Sequence, residues 1–450
     1  MEYLDIIQSA TSHPLSILPN FRYSRDESPI GILYAPPSKC DIRFQTGKFS
    51  VVRKFQSSKK LPPLPKNWNN YSESLNDVVE PTFVKKLKQL SIRPVNQGHC
   101  GSCFAIAIAT TISDNFLFGM NLDYNPSLSP MYILSCLTDE KMTGTSTNLE
   151  NNQCNGGNPS GVIDYIIEKG IATNCFQDYY KICESNQYCN GKGEEHLTIT
   201  MDKVNQMIPS CGHCTPKIPK LYTIKNKTIS FDPEHIKRHI KQYGAVIGGY
   251  FVYPSFMYDQ SHGKFLKTKG IYIKGVGYSN NINYDDNDTP LGGHAISIVG
   301  WGVEENLIVE LNGQSYTYPK VEYWVCRNSW SPNWGDNGYF KYALFQSHDG
   351  FPKLNEGCAF ETDNSKYGQS LGGILMIEPD SILDPKTGSE VLNKVDCNVN
   401  YTCEKVIHED SPKYFLDIIT HKKYEWLVYI CLIGLLIICF TLKSNKKKRK

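Results

Sequence analysis

The chain has 450 residues, enough for a sizeable hydrophobic core in several small domains or in one large two-lobed domain. Its net charge is only +2, and no long basic face precedes residues 443–450, so nothing favours a nucleic-acid partner. The 16 cysteines favour an oxidising compartment with disulfides, although a reduced protein with buried thiols stays open as the alternative.

The N-terminal part of the chain shows little regular patterning. Residues 1–60 lack the basic start and apolar run of an ordinary signal peptide, and they carry no long helical periodicity. The proline-rich stretch LPPLPKNW follows them and is typical of a linker. We therefore predict an N-terminal extension or short prosegment over 1–60 and a folded domain over 61–378.

Two helices are predicted in the first half of that domain. From Cys103 the run CFAIAIATTISDNFLFG is apolar on nearly every face, follows Gly-Ser and stops at Gly119, which predicts a buried central helix. Residues 160–169, SGVIDYIIEK, end before Gly170 and form a shorter amphipathic pattern. This half is therefore predicted to be a helical lobe.

After about residue 220 the pattern becomes that of strands. Short β-branched and aromatic runs alternate with glycine turns, as in HAISIVGWG, EYWVCRNSW and GYFKYALF. Residues 280–290 and 304–320 are more polar and are interpreted as insertions between those strands. The fold class is α+β, with a helical lobe followed by a strand-rich lobe.

The C-terminal part is predicted to be a stalk over 379–423, a membrane-spanning helix over 424–442 and a basic tail over 443–450. The stretch WLVYICLIGLLIICFTL has no charged residue and as a helix would reach about 25 Å, while Tyr424 and Trp426 can lie at the interface. By the positive-inside rule the basic tail KSNKKKRK lies in the cytosol, and the large domain lies on the lumenal or extracellular side. The membrane is a viral or a host membrane.

A cysteine with the features of a nucleophile starts the central helix. Residues 97–105 read Gln-Gly-His-Cys-Gly-Ser-Cys-Phe-Ala, and a thiol at a helix N-terminus meets the positive end of the helix dipole, which stabilises thiolate. The side-chain amide of Gln97 can donate toward the same reacting oxygen as the backbone N–H of Cys103. Together they predict an oxyanion hole.

The base must come from a distant part of the chain. His294 follows Gly-Gly at the start of a predicted strand, and Asn328-Ser329-Trp330 follows another strand. An asparagine amide can orient an imidazole, and the Trp330 indole can shield that hydrogen bond from water.

These motifs resemble the papain family of cysteine peptidases, and within it the cathepsin B branch. Cys-Gly-Ser-Cys followed by an aromatic residue, with His and Asn downstream, is the family signature. The resemblance covers about residues 61–375 and implies a papain-like two-lobed fold, with a helical left lobe and a β-barrel-like right lobe. By this resemblance Gln97 takes the place of the oxyanion-hole glutamine, Cys103 of the nucleophile, His294 of the base and Asn328 of the orienting asparagine.

The resemblance also implies substrate contacts and a disulfide. Cys-Asn-Gly-Gly at 154–157 is similar to a family motif whose cysteine pairs with the one at position 100, so it implies a Cys100–Cys154 disulfide. Gly156 and Gly157 would hold the substrate backbone. In the cathepsin B branch a glutamate lies at the floor of the S2 pocket, and Glu361 in Cys-Ala-Phe-Glu takes that position, where it would favour arginine in the substrate.

The chain departs from the family in four ways. Phe104 replaces the usual tryptophan, and the spacing from Cys103 to His294 exceeds the roughly 130–150 residues of the family, which predicts insertions. Residues 1–60 are short for a prosegment and lack its long helix. The paired histidines of the cathepsin B occluding loop are not recognisable, which favours endopeptidase action over dipeptide trimming.

The sequence thus predicts a monomeric cysteine endopeptidase acting on protein or peptide substrates, with no metal or organic cofactor. The alternative is a catalytically silent, membrane-tethered binding protein with the peptidase fold.

Two minor motifs are interpreted as structural. Cys211-Gly-His-Cys214 is interpreted as two half-cystines rather than a redox site. His235 and His239 are spaced for one helix face, and we expect an exposed face there rather than a zinc site.

Overall fold

The computed structural model describes residues 31–32, 50–57, 60–69, 94–97, 100–122, 124–137, 153–174, 221–257, 263–276, 292–311, 313–356 and 373–383, with 179, 208, 211, 214–215, 359 and 402–403. The chain divides into a unit Met1–Cys403 and a unit Glu404–Lys450, and the second lies outside the described residues. Within the described part, no helix is both long enough and apolar enough to cross a bilayer. The span predicted over 424–442 lies outside that part.

The described α-helices are α1 Cys103–Gly119, α2 Pro130–Cys136, α3 Pro159–Lys169, α4 Pro233–Tyr243 and α5 Pro254–Met257. Both helices predicted in the first half are therefore confirmed. The side chains of Ser129, Asn158 and Asp232 accept hydrogen bonds from the first turns of α2, α3 and α4, and a proline follows each of them. Short 3-10 turns lie at Gln153–Asn155 and Leu266–Thr268.

The described strands are β1 Gly31–Ile32, β2 Ser50–Val52, β3 Trp68–Asn69, β4 Cys214–Thr215, β5 Leu221–Ser230, β6 Val246–Val252, β7 Ile271–Tyr272, β8 Gly292–Leu311, β9 Gln314–Arg327, β10 Tyr339–Ala343, β11 Ile374–Leu383 and β12 Thr402–Cys403. Ten of them form one sheet in the order β2-β5-β11-β6-β8-β9-β10-β7, and β1 and β3 pair with β8. Helices and strands together make an α+β fold, as predicted.

The predicted barrel-like right lobe is wrong for the described strands, because their sheet is open. Its ends are β2, paired with β5, and β7, paired with β10, and no ladder among the described residues joins the two ends. Helices α1 and α4 instead pack against β8 and β11. Helices packed on the sheet cover the core, and the strands do not close into a barrel among the described residues.

The predicted polar insertion at 304–320 is also wrong, because those residues continue the two longest strands. β8 and β9 pair antiparallel from Ser297↔Arg327 out to Leu311↔Gln314. Alternate residues Leu307, Val309 and Leu311 are buried. Their spacing of two is the strand period, and the intervening Ile308 and Glu310 are exposed.

The segment before the central helix packs on the strand-rich lobe. Trp68 stacks on Trp301 of β8 with ring centroids 5.9 Å apart, and the Trp301 indole N–H donates to the Pro65 carbonyl at 3.1 Å. Farther upstream, the Arg53 guanidinium lies 4.9 Å from the centroid of the Phe231 ring. Residues 50–57 and 60–69 thus belong to the packed structure.

Helix α1 joins the two lobes. Hydroxyls of Thr110 and Thr111 lie 3.1 and 2.9 Å from the Ser297 hydroxyl of β8. Farther along the helix, Asp114 Oδ2 accepts from Nη2 of Arg327 on β9 at 2.9 Å, and both side chains are buried. These bonds fix the helix against β8, which carries His294, and β9, which Asn328 directly follows.

Candidate active site

Cys103 lies where the N-terminus of α1 meets β8. It is the first residue of the helix and has no exposed surface. The backbone N–H of Ala295 donates to Cys103 Sγ at 3.3 Å. The sulfur therefore lies beside the residue that follows His294 in the strand.

The closed site disfavours a lone thiolate. Burial raises the pKa of the Cys103 thiol to about 12, and hydrogen bonds from the backbone N–H groups of Ala295, Phe104 and Cys103 oppose that rise. Ionisation of this sulfur at neutral pH therefore needs a neighbouring positive charge.

His294 is held by an amide that directly follows the next strand, β9. Its Nε2 lies 2.7 Å from Asn328 Oδ1, and both residues are buried. Because an amide oxygen only accepts, Nε2 carries the proton, and Nδ1 is the nitrogen of the neutral ring that can take up another. Asn328 Oδ1 is itself fixed by the Ser329 N–H at 2.9 Å.

Aromatic rings enclose this hydrogen bond. The Trp330 indole stacks on the His294 imidazole at 5.0 Å between centroids, and Tyr250 of β6 meets it edge-on at 5.7 Å. Burial raises the pKa of Tyr250 well above its ordinary value, so its ring stays neutral beside the imidazole. Exclusion of water strengthens the bond to Asn328.

Gln97 reaches the same place from the segment before the helix. Its side-chain Nε2 donates to the Cys100 carbonyl at 3.0 Å, and its Oε1 accepts from the Ser329 hydroxyl at 2.6 Å. The Gln97 backbone N–H donates to the Ser329 carbonyl at 2.8 Å. The Ser329 hydroxyl thus fixes the orientation of the Gln97 side-chain amide, with Oε1 as the acceptor and Nε2 as the donor.

A disulfide braces the other wall of the site. Cys100 and Cys154 are bonded, and the Gly101 N–H donates to the Cys154 carbonyl at 2.9 Å. Gly156 follows with a φ of 107°, a conformation that favours glycine. Gly156 and Gly157 are both buried in this state.

The short N-terminal strand β1 runs along the site. It pairs antiparallel with β8 in the register Gly31↔His294 and Ile32↔Gly293. It also lies against α1 and the turn Gln153–Asn155. Backbone of the N-terminal extension therefore lies beside both the helix and the strand that carry the reactive residues.

The structure brings Cys103, His294, Asn328, Gln97 and Trp330 together in one site. Glu361, predicted at the S2 pocket, lies outside the described residues. Sequence reasoning missed Ser329 and Tyr250 as neighbours of this site. Ser329 lies inside the Asn-Ser-Trp motif and could have been found, whereas nothing in the run around Tyr250 distinguishes it from an ordinary core residue.

The two minor motifs have definite partners. Cys211 is bonded to Cys136, in agreement with a structural half-cystine. The expected exposed face is wrong for His239, which is buried and bonds the Ile377 carbonyl at 3.1 Å. His235 stacks on Phe55 at 4.8 Å. The apolar packing of α4 on the sheet explains why this face turns inward.

An α+β fold in which a helix-starting cysteine meets a strand bearing a histidine and its asparagine partner defines a cysteine-peptidase type of protein. The chain belongs to the papain family of cysteine proteases, since the family pattern "Papain family cysteine protease" matches residues 82–363.

Relatives of this chain come from invertebrate iridescent viruses. Probable cysteine proteinase 024R of Invertebrate iridescent virus 3 is 32% identical over 279 residues, covering 58% of this chain and 53% of that protein. Probable cysteine proteinase 224L of Invertebrate iridescent virus 6 is 26% identical over 377 residues, covering 76% and 78%. The chain spans only about half the length of 024R. It also covers only 55% of probable cysteine proteinase 361L of Invertebrate iridescent virus 6.

Among solved structures, proCathepsin B S9 from Trypanosoma congolense is similar to this chain, with a TM-score of 0.47 and 20% identity over 80% of this chain and 90% of that one.

Proposed function

We propose that the chain is a cysteine endopeptidase that hydrolyses peptide bonds through Cys103 and His294. The observation that carries the proposal is the geometry at β8: Ala295 donates to Cys103 Sγ at 3.3 Å, while the adjacent His294 bonds Asn328 at 2.7 Å. Membership of the papain family supports the same reaction class.

In the proposed ground state the proton moves from Cys103 to Nδ1 of His294. The imidazolium supplies the positive charge that the buried sulfur needs, and the helix N-terminus adds to it. Asn328 keeps the imidazole in place because Nε2 already donates to its Oδ1. Nδ1 is therefore the nitrogen that exchanges a proton with Cys103.

Acylation follows by attack of the Cys103 sulfur on the peptide carbonyl carbon. The carbonyl oxygen becomes an oxyanion, held by the Gln97 side-chain amide and the Cys103 backbone N–H. As the C–N bond breaks, His294 gives its proton to the leaving amine. A thioester and neutral imidazole remain.

Deacylation reverses these roles. His294 takes a proton from water, the resulting hydroxide attacks the thioester carbon, and the C–S bond breaks to release the acid and the thiolate. Trp330 covers the imidazole and keeps bulk water from its bond to Asn328. The reaction consumes one water molecule and needs no oxidant or reductant.

The finer assignments concern specificity. Gly156 and Gly157 would bind extended substrate backbone, and Glu361 would select arginine at the second substrate position, as in cathepsin B. These roles are supported by the Cys-Asn-Gly-Gly and Cys-Ala-Phe-Glu motifs. Cleavage of peptides with arginine or phenylalanine at that position, by the native chain and by Glu361→Gln, tests the role of Glu361.

The proposed location is a membrane, with residues 424–442 as a single span, the tail 443–450 in the cytosol and the peptidase on the other side. The uncharged run and its basic flank support this arrangement. The disulfides Cys100–Cys154 and Cys136–Cys211 fit an oxidising side. Protease protection of the peptidase domain in sealed membranes supports it, and digestion before the membranes are opened contradicts it.

The alternative is a silent, membrane-tethered binding protein with the same fold. The full burial of Cys103 favours it, because a closed site binds no substrate. A peptidyl epoxide separates the two, since only a poised thiolate is alkylated quickly.

The decisive comparison uses two cysteines of the same chain. Among the described residues the structure gives two cysteines without a disulfide, Cys103 and Cys326, and both are buried. We expect Cys103→Ala to abolish hydrolysis of a fluorogenic peptide and epoxide labelling. Cys326→Ala keeps both. Turnover by Cys103→Ala at the native rate would overturn the proposed function.

A further inference from the structure

One tyrosine hydroxyl bonds both Gln97, which supplies one donor of the proposed oxyanion hole, and Ser102, which precedes the residue that supplies the other. Tyr179 is buried, and its hydroxyl donates to the Gln97 carbonyl at 2.8 Å. The same hydroxyl lies 2.6 Å from the hydroxyl of Ser102, the residue before the nucleophile. Because the Tyr179 proton goes to Gln97, the Tyr179 oxygen accepts the proton of Ser102.

Ser102 has an unusual role for a helix-capping serine. It is the N-cap of α1, yet its side chain makes no hydrogen bond to the first turn of the helix. An N-cap serine ordinarily accepts from an N–H two or three residues later. Here the hydroxyl is engaged by Tyr179, so the N-cap side chain does not compete for the N–H groups at the start of α1.

The Gln97 backbone is fixed at both its N–H and its carbonyl group. Its N–H donates to the Ser329 carbonyl at 2.8 Å, and its carbonyl accepts from Tyr179. Its side chain is held separately by Ser329 and by the Cys100 carbonyl. Loss of the Tyr179 hydroxyl would remove the hydrogen bond to the Gln97 carbonyl and the one to Ser102 at the start of α1 at the same time.

We propose that Tyr179 is a positioning residue for the oxyanion hole, which holds the Gln97 amide at a fixed distance from the backbone N–H of Cys103. This rests on the proposed peptide hydrolysis. Donors set in advance at the position of the developing charge act mainly on the transition state. The Tyr179 hydroxyl therefore acts on kcat far more than on KM.

The test is Tyr179→Phe, which removes only the hydroxyl. Removal of a whole oxyanion donor costs roughly 10²–10³ in kcat, so we expect a loss of about tenfold when a donor is merely misplaced. KM stays within about twofold, with rates taken per active site titrated by a peptidyl epoxide. The inhibition constant of a peptide aldehyde, whose hemithioacetal oxygen takes the oxyanion position, rises by about the same factor as kcat falls.

The matched control is Tyr318→Phe on β9. The Tyr318 hydroxyl donates to the Pro352 carbonyl at 2.7 Å, so this variant loses the same kind of bond in another part of the fold. We expect it to keep native kcat and native aldehyde affinity. Ser102→Ala removes the other arm of the bridge and should lower kcat in the same direction, which keeps the proposal testable if Tyr179→Phe folds poorly.

A double-mutant cycle distinguishes positioning from general stability. In the Gln97→Ala background the amide is gone, so Tyr179→Phe should lower kcat by much less than in the native chain. Equal losses of kcat in both backgrounds, or a native kcat for Tyr179→Phe, would overturn the positioning role of Tyr179 and leave the proposed function untouched. A native chain that neither hydrolyses peptides nor binds the aldehyde would overturn the proposed function itself, and this inference with it.

Discussion

The buried ion pair between Asp114 and Arg327 gives a strong prediction about stability. The two side chains are 0% and 2% exposed, and Asp114 Oδ2 lies 2.9 Å from Arg327 Nη2. Removing one partner of such a pair leaves an uncompensated buried charge and typically costs about 3–5 kcal/mol. That is about 30–50% of a free energy of unfolding near 10 kcal/mol, within the usual range of about 5–15 kcal/mol.

We therefore expect Arg327→Met to lower the free energy of unfolding by about 3–5 kcal/mol, and the melting temperature by about 4–8 °C. The double variant Asp114→Leu/Arg327→Met should recover at least about 2 kcal/mol of that loss, since neither charge remains. Urea titration followed by tryptophan fluorescence measures each value.

The matched control is the exposed pair Lys353–Glu356, 3.1 Å apart with side chains 51% and 48% exposed. Lys353→Met should change the free energy of unfolding by less than about 1 kcal/mol. If Arg327→Met costs no more than Lys353→Met, or if the two core substitutions are simply additive, α1 is not held to β9 by this pair.

Three further predictions concern the site and its surroundings. Asn328→Ala should lower kcat by about 10- to 100-fold with little change in KM, because the imidazole loses the amide oxygen that accepts from its Nε2; native kcat in steady-state assays would contradict this. Deletion of residues 1–49 should raise turnover several-fold, since β1 pairs with His294 along the site, and an unchanged or lower rate per titrated site would argue against occlusion. Burial lowers the pKa of His239 to about 3, below its ordinary value of about 6.5, so the unfolded chain binds the proton first and stability is lost as pH falls from about 6.5 toward 3. His239→Phe should flatten that part of the unfolding profile, and an unchanged slope would contradict the assignment.

The predictable parts of this protein are those that depend on local patterns. The helix from Cys103 to Gly119 is an apolar run between glycines, so its limits follow from the sequence. His294 at the start of β8 and Asn328 after β9 follow from β-branched runs next to glycine or polar motifs. In both cases the determining signal lies within a few residues of the feature.

The missed parts depend on pairings that are distant in sequence. The open sheet follows from which strands meet at its ends, and the burial of His239 follows from the side of α4 that packs on β11. The bridge from Tyr179 to Gln97 and Ser102 joins residues 82 and 77 positions apart. No local pattern records such contacts, because they arise only when the two segments pack together.

The pH dependence of alkylation at Cys103 tests the central pairing most directly. The rate is measured with a small thiol reagent and peptide mass spectrometry in the native chain and in His294→Ala, with buried Cys326 as internal reference. An imidazolium beside the sulfur keeps the native chain reactive at pH 6, at least about 100-fold faster than His294→Ala, whose reaction rises only with the pKa of the isolated thiol. Superimposable profiles for the two proteins would show that His294 does not ionise Cys103.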